Sequence, residues 1–196
     1  MRALCLLLAL FVSPAAACSA RSGAATAALV ELYTSAGCAT CPSAERWLSR
    51  LPERHPGELV VPVTVYVSQT APPPRRLTPL QRLALTRTPH VLVQGADFHR
   101  WHSADFDREV ARINALPARA DLELAVVSGR LRVRARASEA SHAALFVGTD
   151  VPFEWHGPLA LGEHELDLPA RAVVAFVQDR RTGEVLQTLR LGPCSP

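Results

Sequence analysis

The stretch AALVELYTSAGCATCP, residues 27–42, carries the clearest structural signal in this chain. Its apolar beginning, Ala27–Tyr33, is typical of a buried strand. After the stretch, apolar residues recur at helical spacing, at positions 44, 47, 48 and 51, and predict an amphipathic helix. The two cysteines of the stretch, Cys38 and Cys41, therefore lie in a turn between a strand and a helix, with the first thiol at or beside the helix N-cap.

A CxxC pair in this position is suited to redox chemistry. The unsatisfied backbone N–H groups and the positive end of the dipole at a helix N-terminus favour a thiolate. A thiolate is the nucleophile in disulfide exchange, and a second thiol three residues further on can resolve the mixed disulfide. We therefore predict that Cys38 is the catalytic nucleophile and Cys41 the resolving thiol.

The pair has three other interpretations: half of a zinc site, a structural short-loop disulfide, or an unused relic. Structural zinc needs two more Cys or His ligands with a local spacing of their own. The sequence has no second CxxC and no HxxxH pair among its seven histidines. We therefore predict no metal ligands, and the redox chemistry described above needs no cofactor.

The N-terminus has the pattern of an export signal. A short basic start, Met1-Arg2, precedes the apolar run Ala3–Val12, and Ala15–Ala17 supplies the small residues that a signal peptidase needs. The apolar run is too short to cross a bilayer as a helix, and no later run is long enough. We therefore predict a cleaved signal peptide, a periplasmic or extracellular location and no transmembrane span.

Export changes the arithmetic of the five cysteines. Removal of Cys5 with the signal leaves an even number in an oxidising compartment, and besides the CxxC pair these are Cys18 and Cys194. We therefore predict a structural disulfide between Cys18 and Cys194. The alternative is a lipoprotein site in which Cys18 is acylated and anchors the protein. Ala15 stands where such sites usually have Leu, and acylation would leave Cys194 without a partner.

The charge balance limits the partners. The formal net charge is only +3 at pH 7, and the binding of nucleic acid normally needs a concentrated basic surface. The expected partners are a protein or small-molecule thiol or disulfide, together with a redox partner that recycles the CxxC pair.

Apolar and turn patterns divide the rest of the chain into two parts. Predicted strands at Leu59–Val67, His90–Gln94 and Phe98–Trp101, and predicted helices at Thr78–Leu85 and after the cap Ser103, give the order β-α-β-α-β-β-α. About seven short strands without a helix follow and suggest a small sandwich. The predicted segments are a signal peptide (1–17), an N-terminal segment (18–26), an α/β domain (27–116), a linker (117–120) and a β-rich C-terminal domain (121–196).

This element order is that of the thioredoxin and glutaredoxin core. The segment Glu31–Pro42, the pairs Trp47-Leu48 and Thr88-Pro89, and the run Val173–Asp179 resemble the bacterial secreted family called domain of unknown function 1223. The resemblance implies an α/β thioredoxin-like domain followed by a small all-β sandwich-like domain.

The resemblance also implies roles for three residues outside the CxxC pair. In thioredoxin-like folds the proline before the third strand is cis and faces the thiols, so Thr88 and Pro89 are expected to bind substrate through the Thr88 backbone. Glu31 lies near the place where thioredoxins keep a buried acid, which would have a raised pKa and accept the proton of Cys41. The alternatives are an ordinary loop proline, and a Glu31 that pairs with an arginine at a sheet edge or loop.

These observations lead to two hypotheses of function. The first is an exported thiol–disulfide oxidoreductase or redox-active protein that uses Cys38 and Cys41 on an unknown substrate, with its status as an enzyme left open. The alternative is a non-catalytic binding or scaffold protein of thioredoxin-like fold, whose thiols hold a soft metal such as Cu(I) or stay oxidised.

Overall fold

The structure is a computed structural model that describes residues 18–57, 59–68, 76–78, 82, 87–138, 141–149, 154–167 and 172–193. The elements in its first half are β1 (Cys18–Arg21), β2 (Ala28–Thr34), α1 (Cys41–Ser49), α2 (Leu51–Arg54), β3 (Val60–Tyr66), β4 (His90–Val93), β5 (Ala96–Asp97) and α3 (Ala104–Asn114). Seven strands follow: β6 (Ala120–Val127), β7 (Arg130–Ala137), β8 (Ala143–Thr149), β9 (Glu154–Leu159), β10 (Gly162–Leu166), β11 (Val173–Asp179) and β12 (Val185–Leu191).

The first sheet has the strand order β3-β2-β4-β5. Strand β2 is parallel to β3 and antiparallel to β4, and α1 and α2 connect β2 to β3. All seven residues of β2 are buried. A strand that is covered on both faces reads as a continuous apolar run, and this is why the sequence of β2 shows no alternation.

The two faces of β2 pack against different layers. Ala28, Val30 and Leu32 face the helices and share a hydrophobic cluster with residues of α1, α2 and α3: Ala44, Leu48, Leu51, Phe106, Val110 and Ile113. Leu29 and Tyr33 point the other way, into a second cluster that also contains Phe146 and Phe176 of another sheet. Alternation along β2 therefore assigns even-numbered residues to the helix face and odd-numbered residues to the sheet face.

The other two sheets are antiparallel, with the orders β12-β11-β8-β9 and β1-β6-β7-β10. The middle sheet packs on the first sheet through Phe146 and Phe176, whose rings stack with centroids 5.2 Å apart. Its opposite face, with Val147 and Val177, packs on Leu122 and Val133 of the outer sheet. The layers thus run from helices through three successive sheets.

The predicted fold class, an α/β thioredoxin-like domain followed by a small all-β sandwich-like domain, is wrong. The described chain is mostly β, with three four-stranded sheets and few helices. An α/β domain would cover both faces of its sheet with helices, whereas the sheet of β2 has helices on one face and strands β8 and β11 on the other.

One predicted strand is also wrong, at Phe98–Trp101. The chain already reverses at Gln94 and Gly95, whose φ angles of +52° and +82° make a two-residue hairpin turn, so the returning strand is Ala96–Asp97. The predicted cap Ser103 is confirmed, since its hydroxyl accepts from the Asp105 N–H at 3.3 Å.

Some predictions fall on other parts of the chain. The signal peptide at 1–17 and most of the helix at Thr78–Leu85 lie outside the described residues. The division into segments at 26, 116 and 120 stays a prediction. Over the described ranges, no helix is long and apolar enough to cross a membrane.

Candidate functional site

Cys38 and Cys41 form a disulfide at the junction of β2 and α1, with an S–S distance of 2.07 Å and a Cα–Cα distance of 5.4 Å. Cys41 is the first residue of α1, and only 2% of its surface is exposed. Cys38 lies in the loop, is partly exposed, and donates its backbone N–H to the Ser35 carbonyl at 3.4 Å. The two cysteines are therefore unequal, and Cys38 is the more exposed of the pair.

The N-cap of α1 is Thr40, two residues after Cys38. The Thr40 side chain makes no capping hydrogen bond, and the first turn of α1 contains no acidic residue. The Ser43 hydroxyl donates to the Thr40 carbonyl at 2.7 Å, and the Thr40 hydroxyl lies 3.9 Å from the Cys38 sulfur. No carboxylate of the first turn therefore offsets the positive end of the helix dipole beside the disulfide.

We call residues 36–40, which carry Cys38, the thiol loop. Two side-chain hydrogen bonds hold the residues that lead into it. The Thr34 hydroxyl donates to Glu45 of α1 at 2.7 Å, and the hydroxyls of Ser35 and Thr88 lie 2.6 Å apart. The Thr88–Pro89 bond is cis, as the resemblance implied. The structure therefore brings Thr88 against the thiol loop, and substrate binding by Thr88 and Pro89 stays a prediction. Thr34 and Ser35 were not predicted as site residues, although two hydroxyl residues at the end of a buried apolar run are a usable signal in the sequence.

Glu31 lies in a buried polar cluster between the first and middle sheets. Its Oε1 accepts from the Tyr33 hydroxyl at 3.1 Å, and its Oε2 accepts from the Arg76 guanidinium, with both charged side chains fully buried. The Arg76 guanidinium also lies 5.4 Å from the centre of the Phe176 ring. The arginine partner that sequence analysis left open is thus Arg76, which reads in the sequence as part of a proline-rich polar loop.

Burial and charge act against each other in this cluster. Burial raises the pKa of Glu31, and the charge of Arg76 and the hydrogen bond from Tyr33 oppose that shift. Burial also raises the pKa of the Tyr33 phenol. Burial lowers the pKa of Arg76, but the negative charge of Glu31 and the hydrogen bonds with Glu31 and Tyr33 outweigh this, and the net shift is upward. Arg76 therefore stays charged, and Glu31 is the carboxyl that compensates it.

Glu31 is not placed beneath Cys41. It is an odd-numbered residue of β2 and faces the middle sheet, whereas α1 and the buried Cys41 lie on the helix face. The role of Glu31 as proton acceptor for Cys41 stays a prediction, and this placement gives it no support.

The remaining predicted site residues are at the ends of the chain. Cys18 begins β1 and is disulfide-bonded, but Cys194 lies outside the described residues, so the Cys18–Cys194 pairing stays a prediction. Within the part of the chain that the structure describes, no group of three or more His, Cys, Asp and Glu side chains is placed to hold a metal ion.

Comparisons with known proteins bear on the same region. Residues 29–68 match a family model described as "Protein of unknown function (DUF1223)". This range covers β2 except its first residue, the thiol loop, α1, α2 and β3. A search of curated proteins finds no match. Among solved structures the chain is similar to "HBP35 of Porphyromonas gingivalis", with a TM-score of 0.53 and 11% identity over 89% of this chain and 79% of that one. At that identity the likeness is one of fold alone.

Proposed function

We propose that the protein is a thiol–disulfide redox protein that uses Cys38 and Cys41. The observation that carries this proposal is the bonded pair at the start of α1, with Cys38 partly exposed and Cys41 buried. Attack and resolution require such an asymmetry, because the attacking sulfur must meet a substrate and the resolving sulfur must be shielded from it.

The exchange balances in two steps. In the reduced protein the Cys38 thiolate attacks one sulfur of a substrate disulfide, a Cys38–substrate bond forms, and the other substrate sulfur leaves as a thiolate and takes up a proton. Cys41 then loses its proton and attacks the Cys38 sulfur, which forms the Cys38–Cys41 bond and releases the second substrate thiolate. The substrate gains two electrons and the protein loses two, and a dithiol partner restores the reduced form by the reverse steps.

The surroundings of the loop support this chemistry. The dipole of α1 favours negative charge on a sulfur beside its N-terminus, and no first-turn carboxylate opposes it. The Ser35–Thr88 hydrogen bond ties Thr88 to the segment that leads to Cys38, which supports a role of the Thr88 backbone in pairing with an extended substrate.

We further infer that the whole chain belongs to the family matched by residues 29–68, and that the protein works after export. The apolar N-terminus supports export, and an oxidising compartment suits a Cys18–Cys194 disulfide.

A trapping experiment tests the proposal. The reduced Cys41→Ser variant, incubated with excess hydroxyethyl disulfide, should accumulate one adduct on Cys38, because the resolving thiol is gone. The wild type should return to its internal disulfide without an adduct. The matched control is Cys38→Ser, in which the remaining thiol is buried and should react far more slowly. Intact-mass and peptide-mapping measurements follow all three proteins.

Two results would contradict the proposal. One is a Cys41→Ser variant that gains an adduct no faster than a free model thiol does. The other is a wild-type disulfide that resists mild dithiol reductant in the folded protein, which would favour the scaffold interpretation.

A further inference from the structure

An arginine-lined cleft of about 280 Å³ opens on the exposed side of α1. Its lining residues are Ser43, Arg46, Trp47, Arg50 and Arg54, and we call it the arginine cleft. Arg46, Arg50 and Arg54 follow each other at a spacing of four residues, so they project from one side of the α1–α2 segment. The indole of Trp47, which packs on Trp101 and Phe106, is the apolar part of the lining.

The arginine cleft has a net positive charge. Arg54 pairs with Asp107 at 3.3 Å, but over the ranges that the structure describes Arg46 and Arg50 make no ion pair. Glu45, the acidic residue nearest to Arg46 in the chain, accepts instead from Thr34. The positive end of the α1 dipole adds to this charge at the Ser43 end of the cleft.

A short series of contacts joins the arginine cleft to the reactive sulfur. The Cys38 sulfur lies 3.9 Å from the Thr40 hydroxyl, the Thr40 carbonyl accepts from the Ser43 hydroxyl at 2.7 Å, and Ser43 lines the cleft. Arg46 lies one helical turn beyond Ser43. These contacts place the Ser43 end of the cleft close to Cys38 in the chain, and we take this end as the side from which an acidic group of a substrate bound at Cys38 reaches Arg46.

We propose that the arginine cleft binds a carboxylate of the substrate, so that the protein exchanges preferentially with small carboxylate-bearing disulfides. This inference rests on the proposed function and adds the substrate class. A guanidinium offers two parallel N–H donors that match the two oxygens of a carboxylate. The electron transfer is unchanged: the same two-step exchange occurs at Cys38 and Cys41.

The first test measures binding without chemistry. Oxidised protein is titrated with thiodipropionate, a thioether dicarboxylate that cannot exchange, and the backbone amide signals of Ser43 and Arg46 and the indole signal of Trp47 are followed by NMR at low ionic strength. We expect saturable shifts at these residues, and an affinity about three- to ten-fold weaker in Arg46→Gln/Arg50→Gln. The control Arg136→Gln/Arg181→Gln removes the same charge from exposed sites on β7 and the β11–β12 turn and should bind like the wild type. Absence of binding in the wild type, or equal binding by both double variants, overturns the inference.

The second test measures selectivity. Rates of oxidation of the reduced protein are compared for dithiodipropionate, neutral hydroxyethyl disulfide and cationic cystamine, each divided by its rate with a free model thiol. The anionic-to-neutral ratio should exceed one, fall with added salt, and fall about three- to ten-fold in Arg46→Gln/Arg50→Gln but not in the control pair. Exchange with all three disulfides at a salt-independent ratio overturns the inference and leaves the proposed function standing. Exchange with none of them refutes the proposed function. The thiodipropionate titration then tests carboxylate binding in the arginine cleft independently of exchange.

Discussion

The buried pair Glu31–Arg76 allows a quantitative prediction about stability. In the variant Glu31→Gln the shape of the side chain is kept, but the Arg76 guanidinium loses the carboxylate that compensates it. Both side chains are 0% exposed, so solvent cannot take over that role. Loss of one partner of a buried pair costs about 3–5 kcal/mol. A domain is stabilised by only about 5–15 kcal/mol in total, so the variant should unfold at a much lower urea concentration.

The assay is equilibrium unfolding in urea, monitored by circular dichroism, and the variants are compared where their m-values agree. Glu109→Gln is the matched control, because Glu109 pairs with Arg112 on the exposed side of α3 and its loss should cost no more than about 1 kcal/mol. The double variant Glu31→Gln/Arg76→Met removes both charges and should recover most of the loss, since it leaves no buried charge alone. An unfolding free energy of Glu31→Gln within about 1 kcal/mol of the wild type would refute this account of the pair.

Two further predictions concern the β layers. Gly157→Ala should cost about 3 kcal/mol or more in the free energy of unfolding, because Gly157 has φ of +140° and a Cβ there would lie 2.8 Å from the Leu145 carbonyl oxygen. The control Gly162→Ala, where φ is +134° but the space is open, should cost about 1–2 kcal/mol in the same urea assay. Equal losses in the two variants would contradict the clash. Gln187→Leu should cost about 1–3 kcal/mol by thermal or urea unfolding, because the buried amide of Gln187 accepts from the Ala27 N–H at 2.8 Å and donates to the Ala25 carbonyl at 3.0 Å; an unchanged midpoint would contradict this role.

The sequence predicts local structure well where its signals are local. The strand predicted at Ala27–Tyr33 is β2, shifted by one residue, and the helix after Cys41 is confirmed. The cap at Ser103 is also found, because capping depends on residues a few positions apart. The turn between β2 and α1 that carries Cys38 was predicted from the same local signals.

The arrangement of the layers could not be predicted in the same way. A strand with both faces buried shows no alternation, so β2 gives no sign that one face meets helices and the other a sheet. Strand β1 pairs with β6, where Cys18 lies opposite Val126, and a contact so distant in sequence leaves no mark in either segment. The fold-class prediction failed at this step, because it took the β-rich half as a layer separate from the sheet that it covers.

The position of Glu31 shows how this error affects the site. A carboxyl in a buried strand near a CxxC pair suggests an acid for the thiols if helices cover both faces of the sheet. Strands β8 and β11 cover one face of this sheet, and the odd-numbered residues of β2 point to that face. Glu31 therefore points to Arg76 and away from α1. The hydroxyl side chains at the end of β2 and in the loop after it are those of Thr34, which donates to Glu45 of α1, and Ser35, which bonds Thr88. Among the polar side chains of β2, Thr34 and not Glu31 is therefore the one that bonds the helix carrying Cys41.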